Sequence, residues 1–429
     1  MEYRKSFYNF FVKNFENQNE MIAYNSYNNA LGIIEKEKYE LYLNNDVNEI
    51  KIKDKELYDT LVEGGFLVEE SLNEIDVMKY ESYKSRYLND GLALTVNPFS
   101  GCNFRCIYCF ELDRLDNAIK MSKEVQDKLI DYVKQNISGK RFVRINWFGG
   151  EPTIAFDVIE RISRELIEIC EANNVDYGAS IITNGYLLNE DIIKKMVDCK
   201  IKTMQITLDG NKEMHDTRRV LKNGQGTFDC ILNNVIKFAG KGPLIHLRVN
   251  SDKSNPHAYK DVINILKENN ISDKVIVNLG KVYSDDTNNY SNDKCFSNSE
   301  FYQELFNFKK SEKSEEILLP NLKRNECASV NENSFVLDAD GKLYKCWNEV
   351  GLDEYAFGNI LDGVVLKGLA LRYLNYNVFD NEQCRKCKFV PICKGGCNSI
   401  KKEHLDCCQE KYILEKLLNH IVNKWPVEN

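Results

Sequence analysis

The 429-residue chain lacks the features of an exported or membrane protein. It contains no apolar run near eighteen residues, and the short run from Phe7 to Val12 is not followed by a small-residue cleavage site. We therefore expect a cytoplasmic protein without a signal peptide or a membrane span. The chain also lacks a strong excess of one charge, because its formal net charge is -8 with acidic and basic residues mixed along it. This balance predicts neither a nucleic-acid partner nor a membrane partner.

Cysteine, by contrast, is plentiful, with 15 residues in the chain. A reducing cytosol does not favour disulfides, so metal clusters are the leading explanation. Three cysteines lie near residue 105, and eight lie in the last quarter of the chain. Among the scattered ones, Cys170, Cys199 and Cys230 lie in or beside apolar helical segments and are predicted to be core residues. Cys295 lies in a polar loop, and the sequence assigns it no role.

Apolar strand-like runs alternate with helical spacing through the middle of the chain. The predicted strands are Leu92–Val96, Phe142–Trp147, Ser180–Thr183, Thr203–Leu208, Leu244–Asn250 and Val275–Val282. Asn189 is a predicted helix N-cap, and Pro256 is predicted to lie where a helix begins. The alternation predicts an α/β fold with a parallel sheet, either open and doubly wound or an incomplete barrel.

Residues 1–90 are predicted to form a small separate α+β domain. The predicted elements are a hairpin and two helices, at Phe7–Phe15 with Met21–Ile34, Glu35–Leu43 and Asp54–Glu63. After the parallel core, Ser284–Asn298 is rich in Asn, Asp and Ser and predicts a linker or surface loop.

The most informative motif is Gly101-Cys102-Asn103-Phe104-Arg105-Cys106-Ile107-Tyr108-Cys109, which directly follows the first predicted strand. Three thiolates hold a four-iron cluster and leave one iron open to a further ligand, so such a cluster can do chemistry. Three close cysteines also suit zinc, and this motif alone leaves both metals open. Its position after a strand end is where active sites of parallel barrels gather.

Three further strand ends carry candidate ligand contacts. Trp147-Phe148-Gly149-Gly150-Glu151-Pro152 closes the second strand, and its glycines allow close backbone approach to a ligand, although Gly-Gly is also an ordinary turn. Thr183-Asn184-Gly185 closes the third strand and Thr207-Leu208-Asp209-Gly210 the fourth. Arg219 is a candidate for binding a carboxylate. A surface or structural ion pair is the alternative for Arg218, Arg219 and Arg248.

The cysteine loop and these strand ends together resemble the radical S-adenosylmethionine (radical SAM) enzymes. The resemblance implies an incomplete parallel (β/α)6 barrel over residues 91–285, with a catalytic [4Fe-4S] cluster held by Cys102, Cys106 and Cys109. It also implies contacts with S-adenosyl-L-methionine (SAM) from Tyr108, Gly149, Gly150, Glu151, Pro152, Thr183, Asn184, Thr207 and Arg219.

The C-terminal cysteines form a second pattern: Cys327 and Cys346, then Cys384-x2-Cys387-x5-Cys393-x3-Cys397, then Cys407-Cys408. A zinc ribbon is the alternative, since CxxC-like pairs suit tetrahedral zinc. Over residues 325–429 the pattern resembles the SPASM domain, the auxiliary-cluster extension of peptide-modifying radical SAM enzymes. The resemblance implies one auxiliary [4Fe-4S] cluster on Cys327, Cys346 and Cys397. It implies a second on Cys384, Cys387 and Cys393 with Cys408, preferred because it opens a predicted helix, or with Cys407.

The chain departs from sulfatase-maturing relatives in two places. It has no additional cysteine shortly before Cys327, and it has Trp347 where those relatives have an aspartate. The first auxiliary cluster is therefore expected to have an open iron that binds a substrate thiolate. Residues 1–90 resemble the winged-helix-like domain that captures a leader peptide as an added strand, although an ordinary structural extension is the alternative. Residues 286–324 are predicted to be a linker and helix.

The resemblance as a whole implies a peptide maturase. It would cleave SAM reductively to methionine and a 5'-deoxyadenosyl radical, which abstracts hydrogen from a ribosomally made precursor peptide with a leader. A cysteine thioether crosslink is the preferred product; carbon-carbon crosslinking, epimerisation, side-chain oxidation and sulfatase-type maturation are alternatives. A non-catalytic zinc or iron-sulfur protein that binds a peptide is a further one. The expected second partner is an electron donor such as flavodoxin or ferredoxin.

Overall fold

The computed structural model describes residues 2–88, 90–284, 290–311, 319–322, 327–399 and 407–424. The chain divides into two compact units. Unit 1 comprises Met1–Arg86, Lys309–Cys327 and Tyr376–Asn429, and unit 2 comprises Tyr87–Phe308 and Ala328–Asn375. The predicted boundaries at 90, 285 and 324 stay sequence-based predictions, and the predicted linker lies partly outside the described residues. Within the described ranges, no helix is long and apolar enough to cross a membrane.

The strands are β1 (Tyr3–Lys5), β2 (Asn9–Lys13), β3 (Glu20–Asn25), β4 (Leu31–Glu35), β5 (Leu67–Glu69), β6 (Gly91–Val96), β7 (Phe104–Cys106), β8 (Phe142–Trp147), β9 (Asp176–Thr183), β10 (Ile201–Thr207), β11 (Arg219–Leu221), β12 (Leu244–Ser251), β13 (Val275–Lys281), β14 (Ser334–Leu337), β15 (Lys342–Tyr344) and β16 (Gly358–Asn359). The helices are α1 (Lys36–Asn44), α2 (Val47–Lys53), α3 (Lys55–Glu63), α4 (Glu74–Tyr87), α5 (Lys123–Asn136), α6 (Phe156–Ala172), α7 (Glu190–Asp198), α8 (Lys212–Arg218), α9 (Phe228–Phe238), α10 (Ala258–Glu268), α11 (Asn298–Ser311), α12 (Leu369–Leu374), α13 (Glu382–Arg385), α14 (Val390–Cys393) and α15 (Glu410–Val422).

In unit 1, β2, β3 and β4 form an antiparallel sheet in chain order. The hairpin between β2 and β3 confirms the prediction, but the single predicted strand Met21–Ile34 is wrong. It breaks into β3 and β4 because the Asn25 side chain accepts a hydrogen bond from the Tyr27 N–H at 2.8 Å and Asn29 adopts a positive φ of 67°. Such asparagine-rich turns compete with a continuous strand. Helices α1 and α3 confirm the two predicted helices, whereas α2 and α4 were not predicted.

The C-terminal helix of unit 1 packs on the same sheet. Leu414 and Leu418 of α15 share a buried cluster with Ile22 and Tyr24 of β3. The Asn419 side chain also binds the end of β2 and the turn that follows it, donating to the Lys13 carbonyl at 2.9 Å and accepting from the Phe15 N–H at 2.7 Å. The N-terminal sheet and the last helix therefore share one core.

Unit 2 is organised on a mostly parallel sheet with the strand order β13-β12-β10-β9-β8-β6-β14-β15-β16. The six parallel neighbours from β6 to β13 confirm the six predicted strands. β14 adds parallel to β6, whereas β15 and β16 are antiparallel. From β6 to β13 the spatial order follows the chain order without the reversal that a doubly wound sheet requires. This order is that of a singly wound, barrel-like α/β fold.

Alternating strand residues form the core of unit 2. In β6, Leu92, Leu94 and Val96 are buried with the apolar residues of the flanking helices, and the intervening residues are not in this core. Cys170 and Cys199 are buried in the same core as predicted, while Cys230 is half-buried. The remaining scattered cysteine, in the polar loop after β13, is also buried.

Two predicted helix starts have different outcomes. The Asn189 side chain accepts from the Ile192 N–H at 3.0 Å, which confirms it as the N-cap of α7. Pro256 is not at the start of α10: the helix begins at Ala258, after His257 with a φ of 63°. The left-handed residue separates the proline from the helix.

Candidate functional site

The cysteine loop of unit 2 is held by a short antiparallel ribbon. β7, within the loop, pairs with β11, which places Arg219 opposite Cys106. The ribbon extends on one side through the Ile107 N–H, which donates to the Arg218 carbonyl at 3.0 Å. The segment after the fourth strand therefore fixes the loop that follows the first strand.

The three thiols of this loop are shielded from water. Cys106 is buried, and Cys102 and Cys109 are partly so. Burial raises the pKa of all three thiols, that of Cys102 to about 12, because it disfavours the thiolate. A bound metal replaces these protons. Three thiols on one short loop fit a four-iron cluster that keeps one iron open.

The glycine turn after β8 packs directly on the cysteine loop. Gly149 has a φ of 120°, and a side chain there would collide with the amide of Asn97. A side chain at Gly150 would collide with the carbonyl of Gly101, whose oxygen accepts from the Glu151 N–H at 2.8 Å. The two glycines therefore permit close contact between the turn and the backbone of the cysteine loop.

The Glu151 carboxylate links two strand ends. It accepts from the Thr183 hydroxyl at 2.6 Å and the Asn184 N–H at 2.7 Å, and Thr153 donates to it from the turn that Pro152 begins. The carboxylate is fully buried, and burial raises its pKa. Three predicted contact residues, Glu151, Thr183 and Asn184, are therefore bonded to each other at the ends of β8 and β9.

The residues bonded to Glu151 are linked to the cysteine loop through the side-chain amide of Asn184. The Asn184 Nδ2 donates to the Asn103 Oδ1 at 2.8 Å. Thr207 lies buried at the end of β10, the next strand. The predicted contact residues of three successive strands thus lie at one end of the sheet, beside the loop of cysteines.

Tyr108 belongs to a buried polar cluster. Its hydroxyl donates to the Asp209 carboxylate and accepts from the Arg219 Nη1 at 3.0 Å and from the Asn250 Nδ2 at 3.1 Å. Arg219 is buried, and its Nε has no hydrogen-bond partner within the described part of the chain. These bonds fix the aromatic residue between the last two cysteines of the loop.

Arg218 is a structural ion-pair residue, which is one of its two predicted readings. Its fully buried guanidinium lies between Asp209, at 3.3 Å, and Asp252, at 2.8 Å. The Tyr290 hydroxyl also donates to Asp252 at 2.6 Å. The sequence missed Asp252 and Tyr290 because they follow later strands and carry no local motif.

Five C-terminal thiols gather in unit 1. Cys384 and Cys387 lie near Cys393 and Cys407, Cys393 lies near Cys408, and burial raises the pKa of Cys384 to about 11. The Lys411 Nζ lies 3.3 Å from the Cys407 Sγ. The structure thus places one candidate for the last ligand of the predicted second auxiliary cluster near Cys384 and Cys387, and the other near Cys393.

The residues of the predicted first auxiliary cluster are distributed over the chain's two units. Cys327, which is exposed, and Cys397, which is half-buried, belong to unit 1, and Cys346 belongs to unit 2. This ligand set stays a prediction.

An aromatic row continues from the cysteine loop. The rings of Phe110 and Phe148 stack with centroids 6.2 Å apart, and that of Trp347 lies 5.7 Å from Phe148. Trp347 is 44% exposed. The row thus ends in a large apolar side chain that is open to solvent or to a ligand.

Comparisons with known proteins show which family and which solved structures the chain resembles. Residues 96–287 match the family model of the Radical SAM superfamily. The cysteine-type anaerobic sulfatase-maturating enzyme of Clostridium perfringens (strain ATCC 13124) is 28% identical over 348 residues, which span 74% of this chain and 92% of that protein. The solved structure of anSMEcpe with bound AdoMet is 23% identical, with a TM-score of 0.60 over 78% of this chain and 96% of that one. SuiB of Streptococcus suis, bound to its precursor peptide SuiA, is 19% identical with a TM-score of 0.53 over 94% and 97%. At these identities the structural similarity establishes the fold.

Proposed function

Since residues 96–287 are a radical SAM domain, we propose that the chain is a SPASM-type peptide maturase that forms a cysteine thioether in a ribosomally made precursor peptide. Enzymes of this family use SAM and [4Fe-4S] clusters, which together supply a 5'-deoxyadenosyl radical by reductive cleavage of SAM. The observation that carries the proposal is the loop of Cys102, Cys106 and Cys109, shielded and fixed at the end of the parallel sheet.

The protein's part in this chemistry is to hold the reacting groups in place and to shield them from water. The three thiolates would hold the cluster, and Asp209 and Asn250 fix Tyr108 in the same loop. The Gly149-Gly150 turn closes over the loop, which limits access of water. Such fixed geometry favours reaction of the radical with the positioned peptide over side reactions.

A peptide partner is supported by the N-terminal sheet. SuiB was solved with its precursor peptide, and β4 has a partner strand on one side only within the described residues. A free edge of this kind binds an extended segment through backbone hydrogen bonds, with affinity that does not depend on a pocket. We propose that the leader of the precursor adds there as a fourth strand.

The thioether assignment rests on the surroundings of the first auxiliary ligands. Trp347 has no acid-base function, and it extends the aromatic row with an apolar surface suited to a peptide. Forming the carbon-sulfur bond removes a carbon-bound hydrogen, which leaves in 5'-deoxyadenosine, and the thiol proton, which goes to solvent. This bond formation leaves one surplus electron, and an auxiliary cluster bound to Cys327, Cys346 and Cys397 would supply the acceptor for it.

The second auxiliary cluster is assigned to Cys384, Cys387, Cys393 and Cys408. The position of Cys408 beside Cys393 supports this choice, whereas Cys407 lies beside Lys411. A flavodoxin or ferredoxin is the proposed electron donor.

Sulfatase-type maturation is the second candidate, because the curated relative from Clostridium perfringens aligns over 74% of this chain. Peptide mass spectrometry separates the two. A thioether keeps every heavy atom of the peptide, loses two hydrogens and consumes one free thiol, and any other change in mass contradicts it. Synthetic peptides spanning the short reading frames beside the gene are the substrates to test.

SAM cleavage is tested on anaerobically reconstituted, reduced protein. We expect about twelve irons per chain from three four-iron clusters and formation of 5'-deoxyadenosine from SAM. Cys106→Ala should lose about four irons and the 5'-deoxyadenosine. Cys230→Ala, which removes a half-buried thiol outside the motifs, is the matched control and should keep both. If Cys106→Ala still forms 5'-deoxyadenosine, the proposed function is wrong.

A further inference from the structure

One face of the parallel sheet in unit 2 is polar. Alternate residues of β10, β12 and β13 belong to the core, and the residues between them form rows across the strands. One row, at the carboxyl end, consists of Thr207, Arg248 and Asn278, which are in register with each other. A sheet face of this composition is suited to a polar ligand.

Arg248 is a guanidinium without a carboxylate partner. Its Nε donates to the Asn250 Oδ1 at 2.7 Å, and no acid or other acceptor within the described ranges contacts its two terminal nitrogens. Among the parallel strands β6 to β13, all of which are described, the carboxylate on this face belongs to Asp176, and it is ion-paired with Arg144. The face therefore has a positive charge that no carboxylate of the described residues pairs with directly.

Gly280 makes room for this guanidinium. A side chain at that position would lie 2.5 Å from the Arg248 Nε and Nη2. Burial lowers the pKa of Arg248, since the charged group has lost water without gaining an ion pair. A half-buried charge in this situation is stabilised when an anion binds.

The guanidinium is joined to the cysteine loop through one residue. Asn250 accepts from Arg248 and donates to the Tyr108 hydroxyl at 3.1 Å. Tyr108 lies between Cys106 and Cys109 in the loop. A group bound to Arg248 therefore lies on the sheet face beside the reacting centre.

We propose that Arg248, flanked by Thr207 and Asn278, is a carboxylate-binding subsite of the active centre. A planar guanidinium with two free terminal nitrogens matches a carboxylate through two parallel hydrogen bonds. The carboxylate comes either from the methionine part of SAM or from an acidic residue of the peptide. The assignment deepens the proposed function and rests on it.

Binding measurements distinguish the two sources. On cluster-loaded protein, equilibrium dialysis compares SAM with decarboxylated SAM, and competition compares synthetic peptides that differ by one Glu-to-Gln change. If the carboxylate is that of SAM, Arg248→Gln weakens SAM binding about tenfold or more and abolishes the preference over decarboxylated SAM. If it is that of the peptide, the variant keeps SAM affinity and loses the preference for the Glu peptide.

Two further variants serve as controls for these binding measurements. Arg144→Gln removes another arginine of the same face and should leave both preferences unchanged. Gly280→Ala displaces the guanidinium without removing its charge and should reproduce part of the loss. The proposal is overturned if Arg248→Gln alters neither preference. These binding measurements need no turnover, so they test the subsite even if the wild-type protein forms no 5'-deoxyadenosine. Absence of 5'-deoxyadenosine would refute the proposed function and not the subsite.

Discussion

The Arg114 guanidinium binds the Asp338 carboxylate through two hydrogen bonds of 2.8 and 2.6 Å. Asp338 also accepts from the Asn97 Nδ2 at 2.7 Å. Arg114 lies in the loop after Cys109, and Asp338 directly follows β14. The pair therefore attaches the chain leaving the cysteine motif to the end of the parallel strand beside β6.

Breaking this pair should destabilise unit 2. Asp338→Asn removes the nearer of the two carboxylates that face the largely buried Arg114 and leaves only Glu111, at 3.5 Å, so we expect a loss of about 3 kcal/mol in the free energy of unfolding. Urea unfolding measures it. Asp353→Asn, which removes an exposed partner of Lys342, is the control and should cost less than about 1 kcal/mol. Equal losses in the two variants would contradict a structural role for Asp338.

The glycine turn gives a second prediction. Gly150→Ala forces a methyl group into the Gly101 carbonyl, so the turn and the cysteine loop must separate. We expect loss of about four irons per chain on reconstitution and at least tenfold less 5'-deoxyadenosine. Gly178→Ala is the matched control, because its methyl group makes only ordinary contacts of 3.6 Å with Arg144. Full iron content in Gly150→Ala would show that the loop tolerates the separation.

The sequence was sufficient for the strands and motifs of this site. All six predicted strands of unit 2 exist, because each carries apolar residues at alternate core positions. The contact residues Gly149, Thr183 and Thr207 could be found because each lies at or just beyond the end of such a strand. In parallel sheets, strand ends meet at one edge, so local sequence predicts a shared location.

The ion pairs could not be found in the same way. Arg218 and Asp252 are 34 residues apart, and Arg114 and Asp338 are 224 apart. Their pairing depends on which loops the sheet brings together, and no periodicity encodes it. Arg248 shows the converse, since only the structure reveals that no acid among the described residues pairs with it.

His215 should make unit 2 sensitive to acid. It is fully buried, accepts from the Asp209 N–H through Nδ1 at 3.1 Å and lies 3.0 Å from the Thr227 Oγ1 through Nε2. Burial, and secondly the charge of Arg219, lowers its pKa from 6.5 to about 3. Between these values the unfolded chain binds a proton that the folded chain does not. Stability is therefore lost as the pH falls below 6.5, by about 1.4 kcal/mol at pH 5.5.

Substitution of this histidine isolates the effect. Urea unfolding of the wild type and of His215→Gln at pH 7.5 and 5.5 should give a smaller pH-dependent loss in the variant, by about 1 kcal/mol. The comparison within each protein removes the constant cost of the substitution. If both proteins lose the same free energy between the two pH values, protonation of His215 does not contribute.

The register of β4 predicts how a leader would bind. The Asn25 N–H donates to the Ala30 carbonyl, and the Lys36 N–H donates to the Asn19 carbonyl. In β4, between Ala30 and Lys36, every second residue therefore directs its backbone N–H and carbonyl toward β3. Ile33 falls at an alternate position, and its N–H and carbonyl point to the free edge. Ile33→Pro therefore removes an outward donor without removing a bond to β3. With synthetic peptides from the neighbouring short reading frames, this variant should bind at least tenfold more weakly by calorimetry. Ile33→Val keeps the donor and should bind as the wild type does. Equal binding by the proline variant would place the leader elsewhere.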